Sequence, residues 1–336
     1  MKKILVTGGL GFIGSHTVVE LQNEGFEVVI IDNLSNSKID VLNSITEITH
    51  KKPDFHQLDL RVKSDVKNFF DHTKIDGIIH FAAFKAVGES VEKPLEYYEN
   101  NIGSLVYLLQ EMRDRNIDNF IFSSSCTVYG QADELPITEN APIKPAESPY
   151  GNTKQVGEEI IKEACNAHNL NAIALRYFNP IGAHDSIKIG ELPLGVPQNL
   201  IPFVTQTAAG IRKELSIFGD DYPTHDGTAI RDYIHVVDLA KAHIAALQRL
   251  LDKKNANNFE FFNVGTGKGS SVLDVVKSFE KVSSQKLPYK IVGRRAGDIT
   301  AAYADTSLVS KELNWKTEKT LDEALDSAWK WQESQL

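Results

Sequence analysis

The sequence is poor in cysteine, in net positive charge and in long apolar runs. Its 336 residues hold two cysteines, Cys126 and Cys165, too few for a disulfide framework and suited to a reducing cytoplasm. Acidic residues outnumber Lys and Arg by 45 to 36, for a formal charge of −9. Binding a nucleic-acid backbone needs a basic face, so nucleic acid is excluded as a general partner. A small anion held by a few local arginines is not. The opening MKKILVTGG has a basic lead, but its apolar run stops at Gly8. That is too short for a signal peptide, and no later stretch approaches bilayer-spanning length. No metal is expected. These absences predict a soluble, cytoplasmic protein with no membrane partner.

What is present is an alternation of two periods. Short β-rich runs at 3–7, 27–32, 54–59, 77–82, 119–124 and 172–178 alternate with amphipathic segments such as 15–25 and 104–116. Strand, helix, strand in repetition predicts right-handed crossovers and a mostly parallel sheet covered on both faces. The apolar runs IIHFAA and NFIFS suit central strands buried on both sides. Beyond residue 178 the texture changes. Residues 179–202 are rich in Gly and Pro and read as one long surface loop, of the kind that usually serves function. Further on, 214–219, 259–265 and 287–293 read as short strands among helices at 236–250 and 320–332. The predicted fold class is α/β: a Rossmann-type, doubly wound, mostly parallel sheet with a smaller mixed α/β C-terminal lobe.

The run KILVTGGLGFIGS carries Gly9, Gly11 and Gly14 in the G-x-G-x-x-G spacing, and Gly8 adds a G-x-x-G-x-x-G. It follows a strand and opens a helix, the context in which the pattern binds a dinucleotide. Glycine permits the tight turn, the approach of backbone to pyrophosphate and close helix–sheet packing. Amides near Phe12 and Ile13 then face the anion at the positive helix end. The second strand ends in Asp32, eighteen residues past Gly14. A carboxylate there accepts hydrogen bonds from the adenosine ribose and repels a 2′-phosphate, which predicts NAD rather than NADP. Asp59, at the end of the third strand, either reaches the adenine or caps a turn. Residues 1–178 are therefore expected to form the NAD-binding domain, with some later segments returning to it, and 179–336 mainly the substrate lobe.

FIFSSSCTVYG ends a central strand in three serines, and SPYGNTK, residues 148–154, sets Tyr150 and Lys154 one helical turn apart behind a Ser-Pro start. In an open α/β sheet, ligands gather beyond the carboxyl ends of the strands. Ser125 is expected near the nicotinamide, and the helix brings Tyr150 and Lys154 to the same rim. A free phenol titrates near 10 and is a poor base; moving it to about 7 takes roughly 4 kcal/mol of preferential phenolate stabilisation. The lysine ammonium and the positive nicotinamide supply that stabilisation, while Ser125 donates to the substrate oxygen.

TGGLGFIG, SSSCTVYG, YGNTK and RYFNP resemble extended short-chain dehydrogenase/reductases that act on nucleotide sugars. IIDNLSNSK, FAAFKAVGESVEKPLEYYENN, GDDYPTHDGTAIRDYIHVVDLA and RRAGD resemble the UDP-glucose 4-epimerase family in particular, and the likeness runs over residues 2–332. The resemblance implies NAD contacts at Phe12, Ile13, Asp32, Asn33, Leu34, Ser35, Asn36, Ser37, Asp59 and Leu60. It implies more at Phe81, Ala82, Ala83, Phe84, Lys85, Asn100, Ser125, Tyr150, Lys154 and Phe178. UDP-sugar contacts are implied at Asn179, Asn199, Leu200, Ser216, Ile217, Phe218, Arg231, Arg295 and Asp298, besides Ser125, Tyr150 and Ala302. The bare chemistry agrees, since planar guanidinium groups suit a diphosphate. The reaction so implied is reversible. Tyr150 removes the proton of the sugar 4-hydroxyl as hydride passes to NAD⁺, the 4-keto sugar turns about its link to the diphosphate, and hydride returns to its other face. NAD would stay tightly bound, and a homodimer is the implied assembly.

Two departures stand out. Members restricted to plain hexoses carry a tyrosine four residues beyond the aspartate of RRxGD, where this chain has Ala302 with Tyr303 next to it. The smaller side chain opens space beside the sugar 2-substituent and implies activity on UDP-GlcNAc and UDP-GalNAc as well as on UDP-glucose and UDP-galactose. Ala83-Phe84 replaces Gly-Leu beside the cofactor. Among rival readings, nucleotide-sugar 4,6-dehydratases need an acid pair just before the Val-Tyr-Gly, and decarboxylating relatives a glutamate. Cys126 and Thr127 stand there and cannot do that proton work at neutral pH. Another uronate-directed enzyme, or a non-catalytic NAD-binding scaffold, remains an alternative. A scaffold has no use for Ser125, Tyr150, Lys154 and both arginines together.

Overall fold

The computed structural model describes residues 1–295 and 298–336; Ala296 and Gly297 of the RRAGD segment lie outside the described residues. Six strands fall in the first half: β1 (Lys3–Thr7), β2 (Glu27–Asp32), β3 (Asp54–Gln57), β4 (Gly77–His80), β5 (Asn119–Ser123) and β6 (Asn171–Tyr177). The later ones are shorter: β7 (Asn179–Ile181), β8 (Leu215–Phe218), β9 (Ile230–Arg231), β10 (Tyr233–His235), β11 (Phe259–Val264), β12 (Ser270–Ser271), β13 (Tyr289–Val292) and β14 (Ala301–Ala302). Between the early strands run α1 (Phe12–Asn23), α2 (Asp40–Thr49), α3 (Lys63–His72), α4 (Val87–Glu92), α5 (Pro94–Tyr98), α6 (Ser104–Arg115) and α7 (Pro149–Ala167). The rest of the chain adds α8 (Leu200–Ala208), α9 (Val236–Leu251), α10 (Val272–Ser283), α11 (Ser307–Leu313) and α12 (Leu321–Glu333).

The main sheet has the order β11-β6-β5-β4-β1-β2-β3, with every pairing parallel. After β3 the chain returns past β1 to β4, so the crevice beyond the β1 and β4 carboxyl ends is the topological switch point where ligands bind. Successive side chains leave a strand on opposite faces. Ile4, Val6, Ile30, Ile79 and Ile121 accordingly pack under α1 and α9 through Val18, Leu21, Leu239 and Leu247. Their neighbours Leu5, Val29, Ile31, Ile78 and Phe120 pack under α3, α6 and α7 through Phe69, Leu105, Leu108 and Ile161. Two covered faces explain why these strands read as continuous apolar runs. The α/β, doubly wound expectation holds.

The second half is assembled from small sheets, β10-β7, β12-β9-β14 and β13-β8. They share a core of Ile181, Val204, Ile217, Tyr233, Phe279, Leu325 and Trp329. Three details differ from the sequence reading. Residues 259–265, read among the lobe's strands, form β11 at the edge of the main sheet, in register with β6 through Phe262 and Leu175. Its aromatic residues alternate between both cores, with Phe262 in one and Phe259 and Phe261 against the other, which is what an added parallel strand requires. The stretch 179–202 is not all loop: β7 opens it, Ala183 bridges Gly190, and α8 begins at Leu200. The third strand stops at Gln57, so Asp59 lies in the turn after it. Among the described residues, no helix is long and apolar enough to cross a membrane.

Candidate active site

At the β1–α1 turn, contact dictates glycine. Gly8 has φ of +67°, and a Cβ on Gly14 would stand 2.2 Å from the Gly8 carbonyl oxygen. No side chain fits while α1 starts this close to β1. The helical ladder begins with the Ser15 amide on the Gly11 carbonyl, so the amides of Phe12 and Ile13 lie ahead of it at the positive helix end. Asp32 is buried. Its carboxylate accepts from the Leu10 amide at 3.1 Å, the Leu34 amide at 2.9 Å and the Ser37 hydroxyl at 2.8 Å. Leu34 is held at φ of +60°, a costly conformation for a branched side chain. Asp32 thus shapes the loop of Asn33, Ser35 and exposed Asn36 around itself. Asn33 donates to Asp59 at 3.3 Å, while Arg61 grips Asp59 with its guanidinium at 2.7 Å and its amide at 2.9 Å. The Arg61 guanidinium outweighs partial burial and, with its amide and Asn33, brings the Asp59 carboxyl down to about 2. Leu60 next to it is buried in the second core. A glycine cradle, leading amides and, among the described residues, an acid at the end of β2 without a basic partner suit NAD.

The segment after β4 carries Phe81 to the His243 ring at 4.7 Å, and Ala82 donates its amide to Thr7 at 3.4 Å. Ala83 follows. Phe84 donates its amide to Asn101 at 2.8 Å, as does the Asn100 side chain at 2.9 Å. The Phe84 ring, half-buried, meets Tyr97 at 5.5 Å, so the bulk that departs from Gly-Leu has a packing partner in α5. Lys85 pairs with Glu191 at 3.1 Å.

The catalytic set comes from β5 and α7. Ser148 caps α7 by accepting from the Gly151 amide at 3.1 Å, and Pro149 occupies the first turn, so Ser-Pro is a helix start. Tyr150, Lys154 and Glu158 then line one buried face. The Lys154 ammonium donates to the Ser123 carbonyl at 2.6 Å, stands 4.9 Å from the Phe122 ring and 5.8 Å from the Tyr150 ring. Burial pushes the Tyr150 phenol up, with Tyr177 adding to it and a Ser125 hydrogen bond opposing. Burial also pushes Lys154 down to about 8, opposed by Glu158. Desolvation opposes the lysine here, and a further positive charge entering the site would favour the phenolate. Cys126, beside Ser125, is pushed up by burial to about 12 and is no acid for water elimination.

The lobe contributes the other wall. Parallel pairing sets Ala302 of β14 beside Arg231 of β9. Asp298 lies 3.6 Å from Arg231 and 2.8 Å from Arg295, and Arg295 stands 5.6 Å from the ring of half-exposed Phe218. Ala302 is 3% exposed, packed with Val128, Tyr129, Ile137, Phe178 and Ala304. Within β8, Ser216 is half-buried, while Ile217 sinks into the lobe core and can offer only backbone to a ligand. Phe178 and Asn179 hang between the parts by their amides, on Val264 and Asp232 respectively. Asn199 donates to Glu191 at 2.7 Å, just before Leu200 opens α8.

Several residues of the site escape sequence reasoning. Glu191 joins Lys85 to Asn199. Buried Asp232 accepts from Thr266, Gly267 and Ala304 and so ties the strand of Arg231 to that of Ala302. Both bridge distant segments and leave no local signal. Tyr177, hydrogen-bonded to Ser123 at 2.7 Å, is likewise invisible until β5 and β6 pair. Glu158 is different: it stands four residues past Lys154, a helical period that could have singled it out.

A family model described as GDP-mannose 4,6 dehydratase matches residues 5–328. A UDP-glucose 4-epimerase of Drosophila melanogaster is 48% identical over 98% of this chain and 96% of its own length. The structure of one from Stenotrophomonas maltophila, with bound NAD and formylated UDP-arabinopyranose, is similar at a TM-score of 0.96, with 46% identity over 100% of this chain and 99% of that one. The enzyme from Bifidobacterium longum, in complex with NAD⁺ and UDP, gives 0.94 at 46% identity over 99% of this chain and 98% of its own.

Proposed function

The chain belongs to the UDP-glucose 4-epimerase family of extended short-chain dehydrogenase/reductases, and from that premise we propose that it inverts carbon 4 of UDP-hexoses through a transient 4-keto sugar. The observation that carries this reading is the convergence of buried Tyr150, Lys154 and Ser125 beyond a glycine cradle at the switch point of the sheet. NAD, when bound, supplies reversible hydride acceptance and a positive ring charge. Phe12, Ile13, Asp32 and the loop to Ser37 would hold its adenosine and pyrophosphate; Phe81, Ala82, Lys85, Asn100 and Phe178 would flank the rest.

Ser125 donates to the sugar 4-oxygen and orients it. Tyr150 takes the 4-hydroxyl proton on its phenolate oxygen, keeps it while the keto sugar turns, and gives it back to the 4-oxygen once the opposite face of carbon 4 is presented. Lys154 holds a positive charge behind the phenol. Arg231 and Arg295 grip the diphosphate as hinge and anchor, with Asp298, Asn179, Asn199, Leu200 and Ser216 to Phe218 around the nucleotide and sugar. Residues 1–178 serve as the NAD domain, joined by β11 and α9, and the remainder of 179–336 as the sugar lobe. The small Ala302 supports acceptance of N-acetylated sugars. The chain works in the cytoplasm as a homodimer, for which the exposed Val91 and Leu95 beside α7 offer an apolar face; sedimentation at a single-chain mass would remove that part.

The test is to offer purified protein UDP-glucose, UDP-galactose and their two N-acetylamino analogues, separate the products and identify the retained nucleotide. Epimers form without reduced cofactor accumulating, and Tyr150→Phe loses roughly 10²–10⁴-fold in kcat. Undiminished turnover in that variant would refute the assignment of the base.

A further inference from the structure

Behind the catalytic helix lies a buried ion pair with no place in the reaction just derived. Glu158 and Arg176 are 6% and 4% exposed. The Arg176 guanidinium binds the Glu158 carboxylate through Nε at 3.0 Å and Nη2 at 2.5 Å, and its Nη1 donates to Tyr129 at 2.9 Å. The Ser124 hydroxyl donates to the same carboxylate at 2.5 Å. Tyr129 passes the network to Asn263 of β11 at 2.7 Å. Glu158 is one turn beyond Lys154 on the same face of α7, and residues four apart on a helix are side-chain neighbours. The three serines at the end of β5 thus have separate partners: the Ser123 carbonyl takes the Lys154 ammonium, Ser124 donates to Glu158, and the Ser125 hydroxyl accepts from the Thr127 amide at 3.3 Å, keeping its proton for the site.

We propose that Glu158 and Arg176 are positioning residues that set the charge of Lys154, Glu158 favouring the ammonium form and Arg176 moderating it, while Ser124 locks β5 to α7. The inference deepens the reading of Tyr150 and Lys154 as a proton-transfer pair and rests on it. A bare fold-stabilising role does not account for the layout: a buried ion pair is a weak source of stability compared with apolar packing, yet this one sits within a turn of a desolvated cation. Among the described residues, Glu158 is the charged group acting on Lys154 through space, against burial that brings the lysine to about 8. Other titratable groups packed near α7 are committed or neutral. His80 of β4 is held down to about 3 by burial and Lys154. Tyr177 of β6 and Tyr129 are pushed up to about 12 by burial. Glu111 of α6 pairs with Arg115, Glu89 of α4 with Lys93, and Glu260 of β11 with Arg249.

The test compares pH profiles of kcat in the holoenzyme, with the near-ultraviolet absorbance of the Tyr150 phenolate as a second readout, taken as the difference from Tyr150→Phe. Activity needs charged Lys154 and ionised Tyr150, so loss of the ammonium sets the alkaline limb. Glu158→Gln removes the supporting anion: the alkaline limb moves down by roughly one unit and phenolate formation moves up. Arg176→Met leaves Glu158 unshared, so the alkaline limb moves up. The double variant Glu158→Gln/Arg176→Met removes both partners of the ion pair together, folds even where the single variants do not, and keeps the downward shift. Opposite shifts in the two single variants, or, where a single variant does not fold, a downward shift in the double, support the inference. Loss of activity with unmoved limbs, or shifts of one sign in all variants, overturns it. Wild-type turnover in Tyr150→Phe would instead bring down the parent reading, so the two failures are distinguishable.

Discussion

Tyr150 and Lys154 lie on a nineteen-residue helix against a seven-stranded sheet, 8% and 5% exposed. Arg231 lies on a two-residue strand and Arg295 on a connecting segment, with side chains 19% and 59% exposed. The proposed chemistry rests on desolvated groups whose titration the fold has shifted; the proposed substrate contacts are more exposed charges linked by a third, Asp298. In the first region, burial strengthens every electrostatic term and makes each error expensive. In the second, screening weakens each contact, so affinity needs several contacts together. A sugar that must turn within the site during each cycle is served by this division: a fixed base, and an anchor on short strands.

The comparison is broken most severely at the cradle. Gly14→Ala places a Cβ against the Gly8 carbonyl, backbone against backbone, so α1 must leave β1. We expect the nucleotide released on denaturation to fall toward zero and kcat to fall with it, and full retention of NAD in that variant would show that the close approach is dispensable. Next comes acid. Burial holds His16 and His80 down to about 3, and His243 and His235 to about 4, from an unfolded value of 6.5. Their folded values are depressed, so between pH 6.5 and about 4 the unfolded chain binds more protons. The stability present above pH 6.5 is lost as pH falls, by about 1.4 kcal/mol per pH unit for each histidine. Chemical denaturation at pH 7, 6 and 5 should show this slope, and His243→Leu should remove about a quarter of it. Among the described residues, Nε2 of His243 is buried without a partner, and Nδ1 bonds the Leu239 carbonyl of its own helix at 2.8 Å, so the substitution breaks no side-chain contact between elements other than ring packing.

Within the lobe, the two arginines sharpen the contrast between buried and solvated contacts. Arg231→Met should raise KM roughly 10–100-fold with kcat little changed, the loss of a charge-assisted bond worth about 1.5–3 kcal/mol. Arg295→Met, more exposed, should raise it by less than about 10-fold. Equal effects would mean that Arg295 becomes buried around the substrate.

The two regions also differ in how far they could be read from sequence. The cradle, Asp32 and the Ser125, Tyr150, Lys154 set declare themselves by spacing on single elements, because a strand end or a helix turn fixes their geometry locally. β11 could not be assigned to its sheet from FEFFNVG, since an edge strand and a lobe strand share a pattern; only pairing with β6 decides. Glu191 and Asp232 join residues more than thirty or a hundred positions apart (Asp232 to Thr266, Lys85 to Glu191), and nothing in their neighbours predicts it. The helical period puts a cation near the phenol, but spacing does not reveal the burial that pushes that phenol up.

The most selective effect, confined to one substrate, is expected at Ala302, where the two regions meet. Its methyl is buried against Phe178 and Tyr129, behind the cofactor side, while its strand pairs with that of Arg231 on the sugar side. A larger side chain has two ways to fit. If it repacks the small core, Ala302→Tyr costs about 1–3 kcal/mol of stability and leaves the substrate ratio unchanged. If it turns into the sugar pocket, it meets the 2-substituent, and turnover of UDP-GlcNAc falls by about 10-fold or more relative to UDP-glucose, as expected for roughly 1.4 kcal/mol or more of steric discrimination. We expect the second outcome, because β14 pairs with the strand of Arg231, the proposed diphosphate contact. Measuring kcat/KM for both sugars together with the melting temperature separates the two outcomes: an unchanged ratio with a lower Tm would assign Ala302 to packing alone.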